Sequence, residues 1–185
     1  MSTIERLGDW MQLNSGRRFY PVDPRPDEVF IEDIAHGISL ANRFAGQCRS
    51  AYSVAQHSVL VSRFCDQKDA LWGLLHDASE AYIGDITRPL KRSGLLGGYL
   101  DAESKLMQAV TFRFGLQPQM PPSVKLADDI LLVTEARDLF DHLDSEWESK
   151  LAGLSRMAVR IVPWPADQAE REFLVRFREI TEQAS

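Results

Sequence analysis

Hydrophobic residues recur at the 3.6-residue period of a helix along most of the chain, and the alternation typical of strands is nearly absent. Helices are predicted from about residue 31, over 53–65, over 68–82, over 99–115, from near residue 122 and over about 166–183. The pattern therefore predicts an all-α fold, a single bundle-like domain that spans residues 1–185.

Polar and helix-breaking residues mark where these helices begin and end. Ser53, followed three residues later by Gln56, is a capping-box pattern and predicts the start of the second helix. Gly84 and Pro89 break the third helix, and Gly115 is a natural C-cap for the fourth. The predicted helices thus have plausible boundaries as well as apolar faces.

Three stretches fall outside this set of helices. "TIERLGDWMQL" can form a short helix, and "MAVRIVPWP" is predicted to be short and extended. The segment 14–30 is predicted as a loop because three prolines and Gly16 punctuate it. That loop either covers the mouth of a pocket or lies on the surface as an ordinary connection.

Composition narrows the function classes. The chain has 185 residues, 44% apolar and 26% charged, which is ordinary for a soluble globular protein. A net charge of −6 argues against binding to polymeric nucleic acid or to a membrane surface. Cys48 and Cys65 have neither metal-knuckle nor redox-pair spacing and are predicted as free thiols. Without a secretory segment or a long apolar run, a cytoplasmic location is expected.

Acidic residues interrupt two of the apolar helices. His76 and Asp77 are adjacent on one, and Asp128–Asp129 interrupts another. Burial of unpaired acids is unfavourable, and an ion that several of them share removes the penalty. Together with His57, these residues offer two imidazoles and two carboxylates, which suit a divalent transition metal. An internal salt-bridge network explains the same spacing equally well.

Helical geometry groups the chemistry further. His76, Asp77 and Glu80 share one face of an ideal helix, because they are separated by three or four residues. Lys125 and Asp128 share a face in the same way. Asp129 points about 100° away from Asp128 and is expected to face solvent.

The motifs "SVAQHS", "LLHDASEAYIGD" and "KLAD" resemble the H…HD…D signature of the HD-domain metal-dependent phosphohydrolases. Within that superfamily the resemblance is strongest to bacterial HD-domain 5′-deoxynucleotidases and to phage dATP triphosphohydrolases. It covers roughly residues 31–140, with four motifs in the expected order. The resemblance implies a helical HD domain that binds Mn, Co, Zn or Mg through a set of four ligands: His57, His76, Asp77 and Asp128.

The resemblance also implies roles for six further residues. Glu80 matches the acid that orients or deprotonates the attacking water, and Asp85 matches an acid near the sugar and the leaving oxygen. The remaining four match substrate contacts, an arginine and two lysines for phosphate and an aromatic ring for the base or sugar: Arg43, Lys91, Lys125 and Phe44. His36 matches no ligand and is expected to be structural or to support the site from behind, and His142 is expected to be exposed.

The chain differs from the HD-domain phosphohydrolases that it resembles in three places. Phe44 stands where those enzymes have tryptophan, which leaves the base preference open. The interval from His57 to His76 is shorter than in the deoxynucleotidases, and "SGRRFYPVDPRP" is additional.

The resemblance implies a nucleotide phosphohydrolase, first of all one that removes the 5′-phosphate of (deoxy)nucleoside monophosphates. One alternative is a dNTP triphosphohydrolase that releases triphosphate, which a pair of phosphate-binding lysines favours. Another is a regulatory HD domain that binds metal and nucleotide without turnover, although Glu80 and Asp85 would then have no purpose. A homodimer or higher homo-oligomer is also implied.

Overall fold

Helices dominate the computed structural model, which describes residues 5–153 and 158–183. The helices are α1 (Ile31–Leu40), α2 (Val54–Phe64), α3 (Ala70–Leu75), α4 (Glu80–Ile83), α5 (Arg88–Lys91), α6 (Gly97–Arg113), α7 (Pro122–Leu139), α8 (Ser145–Leu151) and α9 (Ala166–Gln183). Short 3₁₀ turns occur at Pro26–Glu28, Arg43–Gly46 and Gln67–Asp69. The predicted all-α class is confirmed, since the described chain is mainly α-helical.

The N-terminal segment forms a small hairpin. β1 (Met11–Gln12) pairs antiparallel with β2 (Arg18–Phe19), and Gly16 supplies the turn with a φ of 87°. The short helix predicted for residues 3–13 is therefore wrong over its described part, residues 5–13. Phe19 is fully buried and its ring stacks on Tyr82 at 3.9 Å between centroids. The hairpin is thus attached to the core through an aromatic contact.

Helix α2 lies at the centre of the structure and contacts α1, α3, α7 and α9. Eight of its eleven residues are buried, among them His57. The predicted N-cap is confirmed, because the Ser53 hydroxyl accepts a hydrogen bond from the backbone N–H of Gln56. A helix surrounded on all sides carries its polar side chains into the interior, where each needs a partner.

The Gln56 side chain does not return to Ser53 as a full capping box requires. Its amide donates to the Val162 carbonyl at 2.9 Å and its oxygen accepts from the Trp164 N–H at 2.8 Å. The side chain therefore attaches the irregular segment 158–165 to α2. The extended conformation predicted for 157–165 is not a paired strand in the described residues 158–165, and Met157 lies outside them.

The helix predicted over 68–82 is divided. Between α3 and α4 the backbone tightens into i→i+3 hydrogen bonds, from the N–H of Ala78 to the carbonyl of Leu75 and from that of Glu80 to Asp77. The prediction of one continuous helix is therefore wrong, because the chain turns more sharply where the His76–Asp77 pair lies. The break at Gly84 is confirmed, with a φ of 76°.

The other predicted helix ends agree with the structure. After α6, Gly115 adopts a φ of 66° and the Leu116 N–H donates to the Thr111 carbonyl at 2.8 Å, which is a Schellman motif. α7 begins at Pro122 as predicted. α9 buries Phe173 against the core on the predicted apolar face.

Two glycines allow the helices around the 76–80 turn to approach closely. A Cβ on Gly37 of α1 would lie 2.7 Å from the carbonyl oxygen of Ala81 in α4. A Cβ on Gly73 of α3 would lie 2.9 Å from the Cys65 sulfur and 3.1 Å from the Ser62 Cα. The absence of side chains at both positions brings the 76–80 turn against α1 and α2.

Within residues 5–153 and 158–183, no helix has both the length and the apolar character that crossing a bilayer requires.

We expect Gly37→Ala to lower the free energy of unfolding by roughly 1–3 kcal/mol, because the backbone of Ala81 cannot move away without repacking α4. Urea unfolding followed by circular dichroism measures the change. Gly98→Ala is the matched control, since nothing lies within 4 Å of a Cβ there and the position is in helix α6. Equal stability of the two variants would contradict close packing at Gly37.

Candidate metal centre

Two buried imidazoles face each other at the centre of the molecule. Nε2 of His57 in α2 lies 3.2 Å from Nε2 of His76, which follows α3. Nδ1 of His57 lies 2.7 Å from a carboxylate oxygen of Glu135, and Nδ1 of His76 lies 2.8 Å from the Gly73 carbonyl. Because these oxygens only accept, both Nδ1 atoms donate, and each neutral ring then presents a lone pair at Nε2. Two facing lone pairs require a cation or a proton near them.

Carboxylates complete this cluster. Oδ1 of Asp128 lies 3.3 Å from Nε2 of His57, and Oδ2 of Asp77 lies 3.1 Å from Nε2 of His76. Ligand atoms of His57, His76 and Asp128 all come within 4.8 Å of one another. Three of the four residues predicted as metal ligands therefore form one cluster, and Asp77 borders it through both histidines, so that two nitrogens and two carboxylates of the kind that suit a divalent transition metal lie close together.

The electrostatics of the cluster favour positive charge between the rings. Burial raises the pKa of Asp77 and of Asp128, but the neighbouring histidines lower both well below the usual range, so both are ionised. Burial and Arg43 lower the pKa of His57, whereas Glu135 and Asp128 raise it, with a net rise to about 9. Without a metal the cluster thus holds a proton, and a bound cation would satisfy the same demand.

Glu135 supports the cluster from behind, and the sequence reasoning missed it. Its side chain is fully buried; one oxygen accepts from the Tyr52 hydroxyl at 2.9 Å as well as from His57, and the other accepts from Arg43 at 3.0 Å. Burial raises the pKa of Glu135, but Arg43 and His57 outweigh it and keep the group ionised. A sequence signal existed, because Glu135 lies seven residues after Asp128, two turns along the same face of α7.

Arg43 lies between Glu135 and the metal-ligand cluster. One guanidinium nitrogen bonds Glu135, and another lies 3.6 Å from Oδ2 of Asp77. Its Nε is buried and has no hydrogen-bond partner among the described residues. The backbone N–H of Arg43 donates to the Tyr52 carbonyl at 2.9 Å, which fixes the start of the side chain. The predicted phosphate-binding arginine is therefore at the site, with donor capacity to spare.

Phe44 occupies a strained position beside this arginine. Its φ of 56° and that of 51° at Ala45 are left-handed, and Gly46 follows at 74°. Non-glycine residues adopt this conformation at a free-energy cost. The half-buried Phe44 ring lies edge-on to Phe140 at 5.2 Å and to Trp147 at 6.2 Å. The aromatic residue predicted to contact the base or sugar is thus one member of a three-ring cluster next to Arg43.

Glu80 and Asp85 lie near the predicted metal ligand Asp77. Oε2 of Glu80 is buried without a hydrogen-bond partner in the described part of the chain. Burial, with Asp77 and Asp85, raises the pKa of Glu80 to about 10. Burial also raises the pKa of Asp85, although Arg43 and Lys91 oppose it. A buried carboxyl oxygen that no protein group contacts is available to a water or a ligand.

Both predicted phosphate-binding lysines have acidic partners. Nζ of Lys91 lies 2.6 Å from an oxygen of Glu103 and 3.7 Å from Glu80. Lys125, with about half of its side chain exposed, pairs with Asp129 and lies 3.9 Å from Asp128. Asp129 is partly exposed and Asp128 alone contacts His57, so the predicted division between these two acids is confirmed.

The remaining histidines and cysteines take no part. His36 lies 3.2 Å from Glu170 of α9, and His142 is exposed as predicted. Cys48 and Cys65 are free thiols, which confirms that prediction.

We expect Glu135→Ala to lower the free energy of unfolding by roughly 3–5 kcal/mol, because it leaves the buried Arg43 without its main partner. Chemical unfolding monitored by circular dichroism tests this. Glu146→Ala is the control, since Glu146 forms an exposed pair with Lys150 that solvent screens, so its loss changes stability little. A loss no larger than that of the control would contradict the role assigned to Glu135.

No family model matches the chain. The uncharacterized protein YfdR of Escherichia coli strain K12 is 40% identical over 169 residues, which cover 91% of this chain and 93% of YfdR. An uncharacterized protein of Rhodobacter capsulatus is 36% identical over 179 residues, which cover 91% of this chain and 87% of that protein. With identity this high over nearly the whole of each protein, the chain belongs to the same family as YfdR.

Proposed function

We propose that the protein is a metal-dependent phosphohydrolase of the HD type that removes the 5′-phosphate of (deoxy)nucleoside monophosphates. The observation that carries the proposal is the pair of Nε2 atoms of His57 and His76, 3.2 Å apart and flanked by Asp77 and Asp128. The resemblance of "HDASEAYIGD" to the HD signature supports the same reaction class.

Four side chains would hold the metal: His57, His76, Asp77 and Asp128. The facing lone pairs fit a cation, and Mn, Co, Zn and Mg are the candidates. When bound, a divalent cation lowers the pKa of water toward neutrality and stabilises negative charge on a phosphoryl group. Glu135 fixes the His57 tautomer, since its carboxylate accepts the proton on Nδ1 and leaves Nε2 free to bind metal.

The chain's other residues prepare the phosphate and the water. Arg43 places a positive charge beside the metal ligands, and its unpartnered Nε and the terminal nitrogen near Asp77 are separate donors for phosphate oxygens. A bound cation would lower the pKa of Glu80, as Lys91 does, and the ionised group would accept a hydrogen bond from the attacking water at its unpartnered oxygen. Asp85 assists the leaving oxygen.

The reaction exchanges one bond for another. The water oxygen forms a bond to phosphorus while the bond between phosphorus and the 5′ oxygen breaks. The proton that water releases passes to the 5′ oxygen, so the products are a nucleoside and inorganic phosphate. No oxidant or second substrate is required.

A dNTP triphosphohydrolase uses the same parts and is the second candidate, because Lys91 and Lys125 both lie at the edge of the site. A regulatory domain without turnover leaves the buried oxygen of Glu80 unexplained. The homodimer stays a prediction of the resemblance.

A substrate screen tests the proposal. The purified protein is assayed with Mn, Co, Zn or Mg against dNMPs, NMPs and dNTPs, with phosphate and triphosphate measured separately. Release of phosphate from monophosphates is the expected result. Absence of hydrolysis with every metal and nucleotide would overturn the proposed function.

We expect His76→Ala to abolish metal binding and hydrolysis together, because it removes one of the two facing nitrogens. Elemental analysis and titration calorimetry report bound metal independently of activity. His36→Ala is the matched control, since His36 contacts only Glu170 among the contacts described for its ring. Turnover by a His76→Ala protein that holds no metal would overturn the assignment.

We expect Glu80→Ala to retain metal and to slow hydrolysis by about 10²-fold or more, because it removes the carboxylate that orients the water. Initial rates and metal content are measured on the same samples. Glu32→Ala is the control, since Glu32 is an exposed acid on α1. Rates near the unmodified protein's would place the acid–base role on another residue.

A further inference from the structure

We infer that Glu103 restricts the site to substrates with a single phosphate by keeping Lys91 occupied. This inference rests on the proposed function and specifies its substrate class. Glu103 was not among the residues that the sequence motifs single out, because it lies on α6, outside all four of them. It acts through Lys91 and is a positioning residue rather than a catalytic one.

The contact between the two residues is close and partly enclosed. Nζ of Lys91 lies 2.6 Å from Oε1 of Glu103, and the two side chains are only 24% and 23% exposed. The Tyr99 ring, one turn before Glu103, lies 5.9 Å from the same ammonium group. The Tyr99 hydroxyl also donates to the Gly84 carbonyl at 3.0 Å. The beginning of α6 therefore holds the 84–91 segment over the site.

Lys91 consequently lies close to two acids. Its second neighbour is Glu80, at 3.7 Å, which borders the metal ligands. The ammonium thus borders the site through Glu80. A second phosphate that reaches Lys91 must share the ammonium with the Glu103 carboxylate or displace it, and in either case it lies beside that negative charge.

Both outcomes are unfavourable. Displacement loses a charge-assisted hydrogen bond of 2.6 Å between partly buried groups, and in either case two like charges approach in a region with little water to screen them. The second lysine does not face the same obstacle. Lys125 is 53% exposed, so solvent competes for its pair with Asp129 and the pair contributes little. Discrimination against longer phosphate chains therefore depends on Glu103.

The test replaces Glu103 by the uncharged isostere and compares two substrates with the same base, a dNMP and the corresponding dNTP. In Glu103→Gln we expect kcat/KM for the dNTP, relative to that for the dNMP, to rise roughly tenfold or more, which is the range for loss of one charged hydrogen bond. The kcat for the dNMP should stay within about threefold of the starting value. The Lys91→Ala/Glu103→Gln double variant should lose the gain, because the freed ammonium is what binds the added phosphates.

Asp101→Asn is the matched control, since it removes one negative charge from an exposed position on the same helix. It should leave the ratio of kcat/KM for the dNTP to kcat/KM for the dNMP unchanged, which separates a local effect from a change in net charge. Glu103→Asp is a second variant that keeps the charge but shortens the side chain. It should raise the dNTP-to-dNMP ratio of kcat/KM less than Glu103→Gln does. A merely structural role would lower kcat/KM for both substrates in parallel.

Failure of the inference about Glu103 and failure of the proposed function give different results. If the unmodified protein hydrolyses the dNMP but Glu103→Gln leaves the dNTP-to-dNMP ratio of kcat/KM unchanged, the inference is wrong and the proposed function stands. The inference is also wrong if the unmodified protein already hydrolyses dNTPs as efficiently as dNMPs. If neither nucleotide is hydrolysed with any of the metals, the proposed function fails and the inference falls with it.

Discussion

The buried carboxylate of Glu135 is the group on which the arrangement of the centre depends. Its two oxygens accept hydrogen bonds from His57, Tyr52 and Arg43, all from the segment 43–57, which is distant from Glu135 in the chain. A charge removed from water requires such partners, and their loss is strongly destabilising. The same bonds orient the His57 ring and therefore decide where its Nε2 points. Stability and site geometry are thus properties of one network.

The charge balance around this network is coherent with the proposed chemistry. Asp77 and Asp128 remain ionised beside two imidazoles, so the cluster favours a cation. Arg43 extends from the network toward Asp77, and its Nε has no hydrogen-bond partner within residues 5–153 and 158–183. Without a bound cation the site would repel a phosphate, because its acidic side chains outnumber its basic ones. A divalent cation resolves both demands at the same place.

Close backbone packing is the second structural requirement. Gly37 and Gly73 remove side chains from the contacts of α1 with α4 and of α3 with α2. The intervening turn then tightens, so that His76 faces His57 and Glu80 lies within the same small volume. A uniform α-helix over these residues, as the hydrophobic period predicts, would not describe the observed backbone. The local deviation coincides with the polar cluster.

The sequence by itself determined the longer helices, most of their ends and the four candidate ligands, because periodicity, caps and residue type are local properties. Only the tertiary structure decided that Glu135 is buried with Arg43, that Lys91 pairs with Glu103 and that Phe44 lies in a left-handed turn. An acid on an amphipathic helix looks the same in sequence whether it meets water or an arginine 92 residues away. That choice depends on how the helices pack, which brings together charges that no local pattern relates.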